Sequence, residues 1–241
     1  KIKTLASLDP SLVGYWDMET TTLSGSQMLL KDWSGYGNNG VCYNGGTPVT
    51  CDGGSGGPQI VDGKGKSGKA MSFDGVDDWI KVKNDPKISF SGSITLVAKI
   101  QLNKICTVFF DGDPCIDSIL WKGGAHNSGF WLMANYRDSK FLTEINMNNG
   151  GYGHISATTH NLLSTNIVFV KNNTSNAYYI NGILDSNKTT NYLLLNNTDD
   201  LSIGSAFAMK DRVFDGLIDE VRIYNRALSD SEIKTLYNAT K

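Results

Sequence analysis

Asp219 is the carboxylate whose surroundings most suggest chemistry. Period-two alternation across Leu217 to Tyr224 puts Leu217, Asp219, Val221 and Ile223 on one face of a strand. A carboxylate on an apolar face is costly unless it is paired or coordinates a metal. The stretch Asp32 to Gly40, DWSGYGNNG, holds what a hard cation takes: a carboxylate, side-chain amides and carbonyls in a glycine-rich turn. The plainer alternative gives Asp32 a turn-capping role and Asp219 an arginine partner, Arg222 or Arg226. A second acidic group, Asp111, Asp113 and Asp117, misses the D-x-[DN]-x-[DN]-G calcium-loop pattern and reads as a solvated loop tip.

Aromatic side chains could stack on sugar rings. Trp79 shares its strand face with Lys81 and Lys83, which predicts exposure, while Trp131 and Tyr152 could line a sheet face or its rim. Tyr36, Trp121 and Tyr136 are further candidates, although most such residues serve packing. Signs of catalysis are lacking. The three histidines, His126, His154 and His160, sit beside no G-x-S-x-G nucleophile. Glycosidase chemistry needs two carboxylates at a set separation, and Glu144 stands alone on its strand. Gly63 to Gly68 lacks both the spacing of a phosphate-binding loop and a following helix. The chain is expected not to be an enzyme.

The four cysteines fall in two pairs, Cys42 with Cys51 and Cys106 with Cys115, each enclosing a turn-forming stretch. Three connectivities are possible, and the two local pairings are favoured because each closes a short loop. Neither spacing suits a tetrahedral zinc site. Disulfides imply an oxidising compartment, so the protein is expected to be extracellular or on the cell surface.

These groups need a scaffold, and the scaffold reads as β throughout. Ile94, Leu96, Ala98, Ile100 and Leu102 alternate with Thr95, Val97, Lys99 and Gln101, and Ile80 and Val82 with Trp79, Lys81 and Lys83. Further strands are expected at residues 14–18, 69–73, 118–121, 130–134, 140–147, 166–171, 177–180, 201–204 and 217–224. About a dozen strands of this kind predict two packed antiparallel sheets. Residues 53–68 read as a glycine-rich mobile loop. Ser229-Asp230-Ser231-Glu232 reads as a capping box opening a helix of one or two turns through Ile233, Leu236 and Tyr237.

A chain of 241 residues suits one all-β domain, here residues 12–241, with 1–11 a lead-in from an upstream segment. The net charge of −2 leaves no electrostatic footprint for nucleic acid, and no apolar run approaches a membrane span.

Four motifs in order carry a resemblance: Gly14-Tyr15-Trp16-Asp17-Met18-Glu19; Asp32 to Gly40; Gly68 to Ile80, GKAMSFDGVDDWI; and Phe214 to Ser229, FDGLIDEVRIYNRALS. Their order resembles the laminin-G-like, concanavalin A-like jelly-roll family over residues 12–238. The resemblance implies a two-sheet antiparallel jelly-roll sandwich with a short C-terminal helix. It also implies a bound calcium ion and a role in binding a glycan or a cell-surface protein. It brings the Asp32 loop to the last strand, making Asp32, Asn38 and Asp219 the expected calcium ligands, with Asn39 and Glu220 as second choices. Residues 42–62 and 103–117 look like insertions. Polysaccharide-cleaving relatives carry a Glu-x-Asp-x-x-Glu strand or paired Arg/Gln/His/Tyr motifs, and neither occurs here. The resemblance therefore implies an extracellular calcium-stabilised recognition or adhesion module. The alternative is the head of a pilin-like filament subunit whose N-terminal helix has been removed, with neighbouring subunits as partners.

Overall fold

The alternation read at Ile94 to Leu102 builds the strand on which one whole layer is hung. In the computed structural model, β8 (Ile94–Leu102) pairs antiparallel with β13 (Thr165–Lys171) on one side and β17 (Asp215–Tyr224) on the other. The described residues are 9–52, 56–62, 68–104, 116–123, 129–136, 140–146, 154–156, 161, 163–190, 194–206 and 212–240. Beyond β13 lie β14 (Ser175–Ile180) and β15 (Ile183–Thr189). The far edge of β17 is shared. Its first half pairs with β6 (Lys69–Asp74), which in turn carries β5 (Gln59–Asp62), and its second half pairs with β1 (Leu12–Ser24).

The second layer runs through β12 (His154–Ile155), β11 (Lys140–Asn146), β10 (Gly129–Tyr136), β9 (Asp117–Lys122), β16 (Leu201–Ile203), β7 (Asp78–Val82), β3 (Gly40–Asn44) and β4 (Thr47–Val49). Every pairing is antiparallel. β2 (Gln27–Asp32) joins the layers, bonding to β1 along its length and to β3 at Leu30 opposite Gly40.

One hydrophobic core lies between the layers. Leu96, Ala98, Ile100, Ile167, Phe169, Ile218, Val221 and Ile223 come from the first layer; Ile80, Val82, Leu120, Phe130, Leu132 and Ile203 come from the second. This is the two-layer antiparallel packing expected from period-two strands. The outer face of the first layer is covered by α1 (Asp230–Thr240), whose Ile233 packs with Leu12, Tyr15, Val97, Val168, Tyr179 and Tyr224. The expected capping box forms. The Ser229 N–H donates to Glu232 at 2.8 Å, and the Glu232 N–H returns to Ser229 Oγ at 3.4 Å.

Several expectations need correction. The helix runs 11 residues, about three turns. The stretch taken as a loop at 53–68 contains strand β5, which pairs with β6. Strands β2, β3, β4 and β15 had no clear alternation and were missed. They show polar or mixed burial patterns, so composition did not mark them.

Cys42 and Cys51 form a disulfide that closes the β3–β4 hairpin, and both are fully buried in the core. Cys106 and Cys115 lie outside the described residues. Closing a ring of this size is worth about 2.5–3 kcal/mol in the chain-entropy account. Reducing the protein should therefore lower its unfolding free energy, read from urea titration, by about that amount. Because Cys42 sits on β3 beside β7, hydrogen-exchange protection of β3 and β7 should fall before that of β8 and β13.

Candidate functional site

Asp32 ends β2 and is buried, but its oxygens are already engaged. Oδ1 accepts the N–H groups of Tyr15 at 3.0 Å and Ser34 at 2.9 Å; Oδ2 accepts Ser34 Oγ at 2.7 Å and the Asn38 N–H at 2.8 Å. An ionised carboxylate has about four lone-pair positions, and all four are taken. Asn38 donates its side-chain amide to the Val13 carbonyl at 3.0 Å and accepts Trp16 Nε1–H on its own carbonyl at 2.9 Å. The loop is thus organised by Asp32 as a hydrogen-bonding hub, the capping role.

Asp219 is not where alternation put it. Glu220 adopts φ 54°, and the pairing of β17 with β8 slips between Asp219 and Arg222. Such a bulge reverses which side chains face inward. Ile218, Val221 and Ile223 are the core residues, whereas Asp219 lies directly across from Lys99. The neighbours of Lys99 on β8, Ala98 and Ile100, point into the core, so Asp219 faces the outer side. Asp32 pairs with Trp16, a core residue. The two carboxylates occupy opposite faces of one layer. With Asp32 saturated and Asp219 on the other side, Asp32, Asn38 and Asp219 do not fit a shared calcium ion. Nor does Asp219 take an arginine. Arg222 pairs with Glu220, and Arg226 with Asp9 at 2.9 Å and Glu232 at 2.7 Å. Burial, then the charge of Glu220, pushes the Asp219 carboxyl up to about 8, with Lys99 pulling the other way.

Three of the aromatic candidates, Trp79, Trp121 and Trp131, lie on the outer face of the second layer, whereas Tyr36 sits on the loop after β2 and donates to the Pro10 carbonyl. Trp79 is only 5% exposed, contrary to expectation. Tyr43, opposite it on β3, stacks on the indole at 4.3 Å, and Trp79 Nε1 donates to the Gly45 carbonyl at 2.7 Å. Trp131 stacks on Trp121 of β9 at 4.1 Å. With Ile116, Met133 and Ala206 this pair forms a cluster separate from the main core. Register carries one row across this face: Trp131, Trp121, Ser202, Lys81 and Val41. Lys81 reaches Asp200 at 3.0 Å, and both side chains are more than a third exposed. The Ser202 hydroxyl, between Trp121 and Lys81, is buried with no hydrogen-bond partner. Tyr152 lies outside the described residues.

One acidic group was missed. The β6–β7 turn brings carboxylate oxygens of Asp74, Asp77 and Asp78 within 4.8 Å of one another. Burial, followed by the charges of Asp74 and Asp77, pushes Asp78 up to about 7. The available signal was three aspartates in five residues around a glycine.

Residues 74–234 match the profile described as the concanavalin A-like lectin/glucanases superfamily. The chain belongs to that superfamily. The match begins at Asp74, the last residue of β6, so it takes in β7 to β17 and the row on the outer face except Val41, while β1 to β5 precede it. No curated protein sequence matches the chain.

Solved structures agree on the fold. The binding domain of Paraclostridial Mosquitocidal Protein 1 superposes with a TM-score of 0.70 at 19% identity, covering 99% of this chain and 53% of that one. Domain 4 of AbnA, a GH43 extracellular arabinanase from Geobacillus stearothermophilus, solved in complex with arabinotriose, gives 0.67 at 19% identity over 94% and 98% of the two chains. The binding domain of botulinum neurotoxin DC, in complex with rat synaptotagmin II, gives 0.64 at 13% over 96% and 52%. The chain thus spans about half the length of the two toxin binding domains. A concanavalin A-like fold shared with binding domains is what these similarities carry.

Proposed function

We propose that this domain is a recognition module of the cell surface or extracellular space, which binds a glycan or a surface protein through the outer face of its second layer and does not hydrolyse it. The observation that carries this reading is the row from Trp131 to Val41. It sets the Trp131–Trp121 stack beside a hydroxyl without a hydrogen-bond partner and an exposed amine–carboxylate pair, the mixture of flat apolar and polar groups with which binding sites hold a ligand. The buried Cys42–Cys51 disulfide supports an oxidising compartment. The arabinotriose and synaptotagmin complexes of the fold neighbours support both kinds of partner.

The test is a glycan array and a cell-surface protein screen with the wild type, Lys81→Ala and Ser202→Phe. The first variant removes an exposed ion pair worth little to folding, and the second fills the row. Each should weaken the best hit at least about tenfold, the scale of a lost hydrogen bond to a charged group. Unaltered binding in both variants would move the site elsewhere. Sustained turnover of a polysaccharide would restore the hydrolase, and filament assembly without ligand would favour the pilin-like head.

A further inference from the structure

The turn between β6 and β7 is Asp74-Gly75-Val76-Asp77-Asp78, and its shape is imposed from two sides. Asp74 Oδ1 accepts the N–H groups of Val76 at 2.8 Å and Asp77 at 3.2 Å, curling the chain back on itself. Gly75, at φ 73°, lies so close to Asp215 that a Cβ would meet it at 2.7 Å. On the other side the Asp77 carbonyl accepts the Gly45 N–H at 2.8 Å, tying the turn to the disulfide-closed β3–β4 hairpin.

Three carboxylates converge there. The lysines nearby are engaged elsewhere: Lys104 with Asp215 at 3.1 Å and Lys81 with Asp200 at 3.0 Å. Among the described residues, none of the three aspartates makes an ion pair with a lysine or arginine. Asp78 is the decisive member. It is 3% exposed, and its Oδ2 accepts the Asp74 N–H at 3.1 Å. Its Oδ1 is buried with no hydrogen-bond partner. A buried carboxylate oxygen left bare beside two further carboxylates costs free energy unless a cation completes it.

We propose that the β6–β7 turn is a divalent-cation site, with Asp74, Asp77 and Asp78 as its protein ligands and a calcium-like ion as its occupant. Three oxygens within 4.8 Å of one another can share an ion no farther than about 2.8 Å from each (4.8 divided by √3), close to the 2.3–2.6 Å at which calcium takes oxygen. All-oxygen donors from one tight turn between the layers, with room for water on the exposed side of Asp74, suit calcium's irregular shell better than magnesium's strict octahedron. The ion would fasten the β6–β7 turn beside the β3–β4 turn, at the end of the face that holds Tyr43 and Trp79. This site is independent of the proposed ligand row and uses none of Asp32, Asn38 and Asp219.

Terbium titration of the whole protein tests it, because Trp79 follows Asp78 directly and can sensitise a bound lanthanide. Terbium emission excited through tryptophan should rise and be displaced by calcium. Calcium up to about 10 mM, above the millimolar range of extracellular modules, should also raise the melting temperature. Asp78→Asn and Asp77→Asn should each weaken calcium at least about tenfold and abolish the thermal shift, while Asp219→Asn retains both. Asp77 is half-buried, so its variant carries the test even if Asp78→Asn does not fold. Calcium binding retained in the Asp77 variant, binding lost in the Asp219 variant, or no response in the wild type would each overturn the assignment.

Discussion

Replacing Arg222 with alanine should lower stability by about 3–5 kcal/mol, the cost of stripping one partner from a buried ion pair. Arg222 is 1% exposed, and its guanidinium lies over the Tyr15 ring at 4.1 Å while pairing with Glu220. Glu220 in turn accepts the Tyr15 hydroxyl at 3.2 Å on both carboxylate oxygens. Removing the guanidinium leaves the Glu220 carboxylate facing a tyrosine ring beneath α1, with no cation to neutralise it. Burial and the neighbouring Glu220 charge also hold the Tyr15 hydroxyl well above its ordinary range, so it stays a neutral hydrogen-bond donor. Urea unfolding reads the loss. The double variant Arg222→Met with Glu220→Gln should recover most of it, because a neutral, similarly shaped pair removes the stranded charge. If the double variant is as unstable as Arg222→Ala, the stacking on Tyr15 matters more than the charge pair.

Asp219→Asn should stabilise the protein at pH 9 and leave it nearly unchanged at pH 4. The folded-state carboxyl titrates at about 8 against an ordinary 3.8. A raised value means the folded state holds the proton more tightly than the unfolded chain. The stability this group contributes is therefore complete below about pH 4 and is lost as pH rises through about 8. Asparagine keeps the neutral form at every pH. A gain on the order of 2 kcal/mol at pH 9 corresponds to about 4–8 °C in melting temperature for a domain of this size. Asp78, pushed up to about 7, adds to the same downward slope in the wild type, so the comparison rests on the difference between the two proteins at each pH. Equal melting temperatures at pH 9 would mean that Lys99, across the ladder, already neutralises Asp219.

These expectations differ in how they could be reached. Arg222 looked like a spare partner for Asp219 when only its position in the sequence was known. Its role became visible when the bulge at Glu220 turned Asp219 toward Lys99 and left Arg222 beside Glu220. Period-two alternation assumes an unbroken ladder, and one residue in the left-handed region reverses the facing of the residues before it relative to those after it.

Local chemistry by itself determined much. The alternating run from Ile94 to Leu102, the capping box at Ser229 and the turn-forming stretch between Cys42 and Cys51 each specify their own conformation through neighbours close in the chain. Four ordered motifs then placed these pieces in a jelly roll with a C-terminal helix. The unpatterned strands β2 and β15 escaped, because a strand with a mixed burial pattern shows no period of its own and is recruited by the partner it pairs with.

Only tertiary structure decided which polar groups are free. Asp32 was legible as a carboxylate in a glycine-rich loop, but its four donors include the backbone of Tyr15 on another strand. Trp79 was legible beside two lysines, yet Tyr43 of β3 and Gly45 of the β3–β4 turn cover it. The three aspartates of the β6–β7 turn were adjacent in sequence, where they look like an ordinary solvated turn. Asp78 becomes a buried oxygen without a donor because its turn is pinned between Asp215 and Gly45, residues 137 and 33 positions away in the chain. Burial and hydrogen-bond satisfaction are properties of distant neighbours, and those neighbours are what folding supplies.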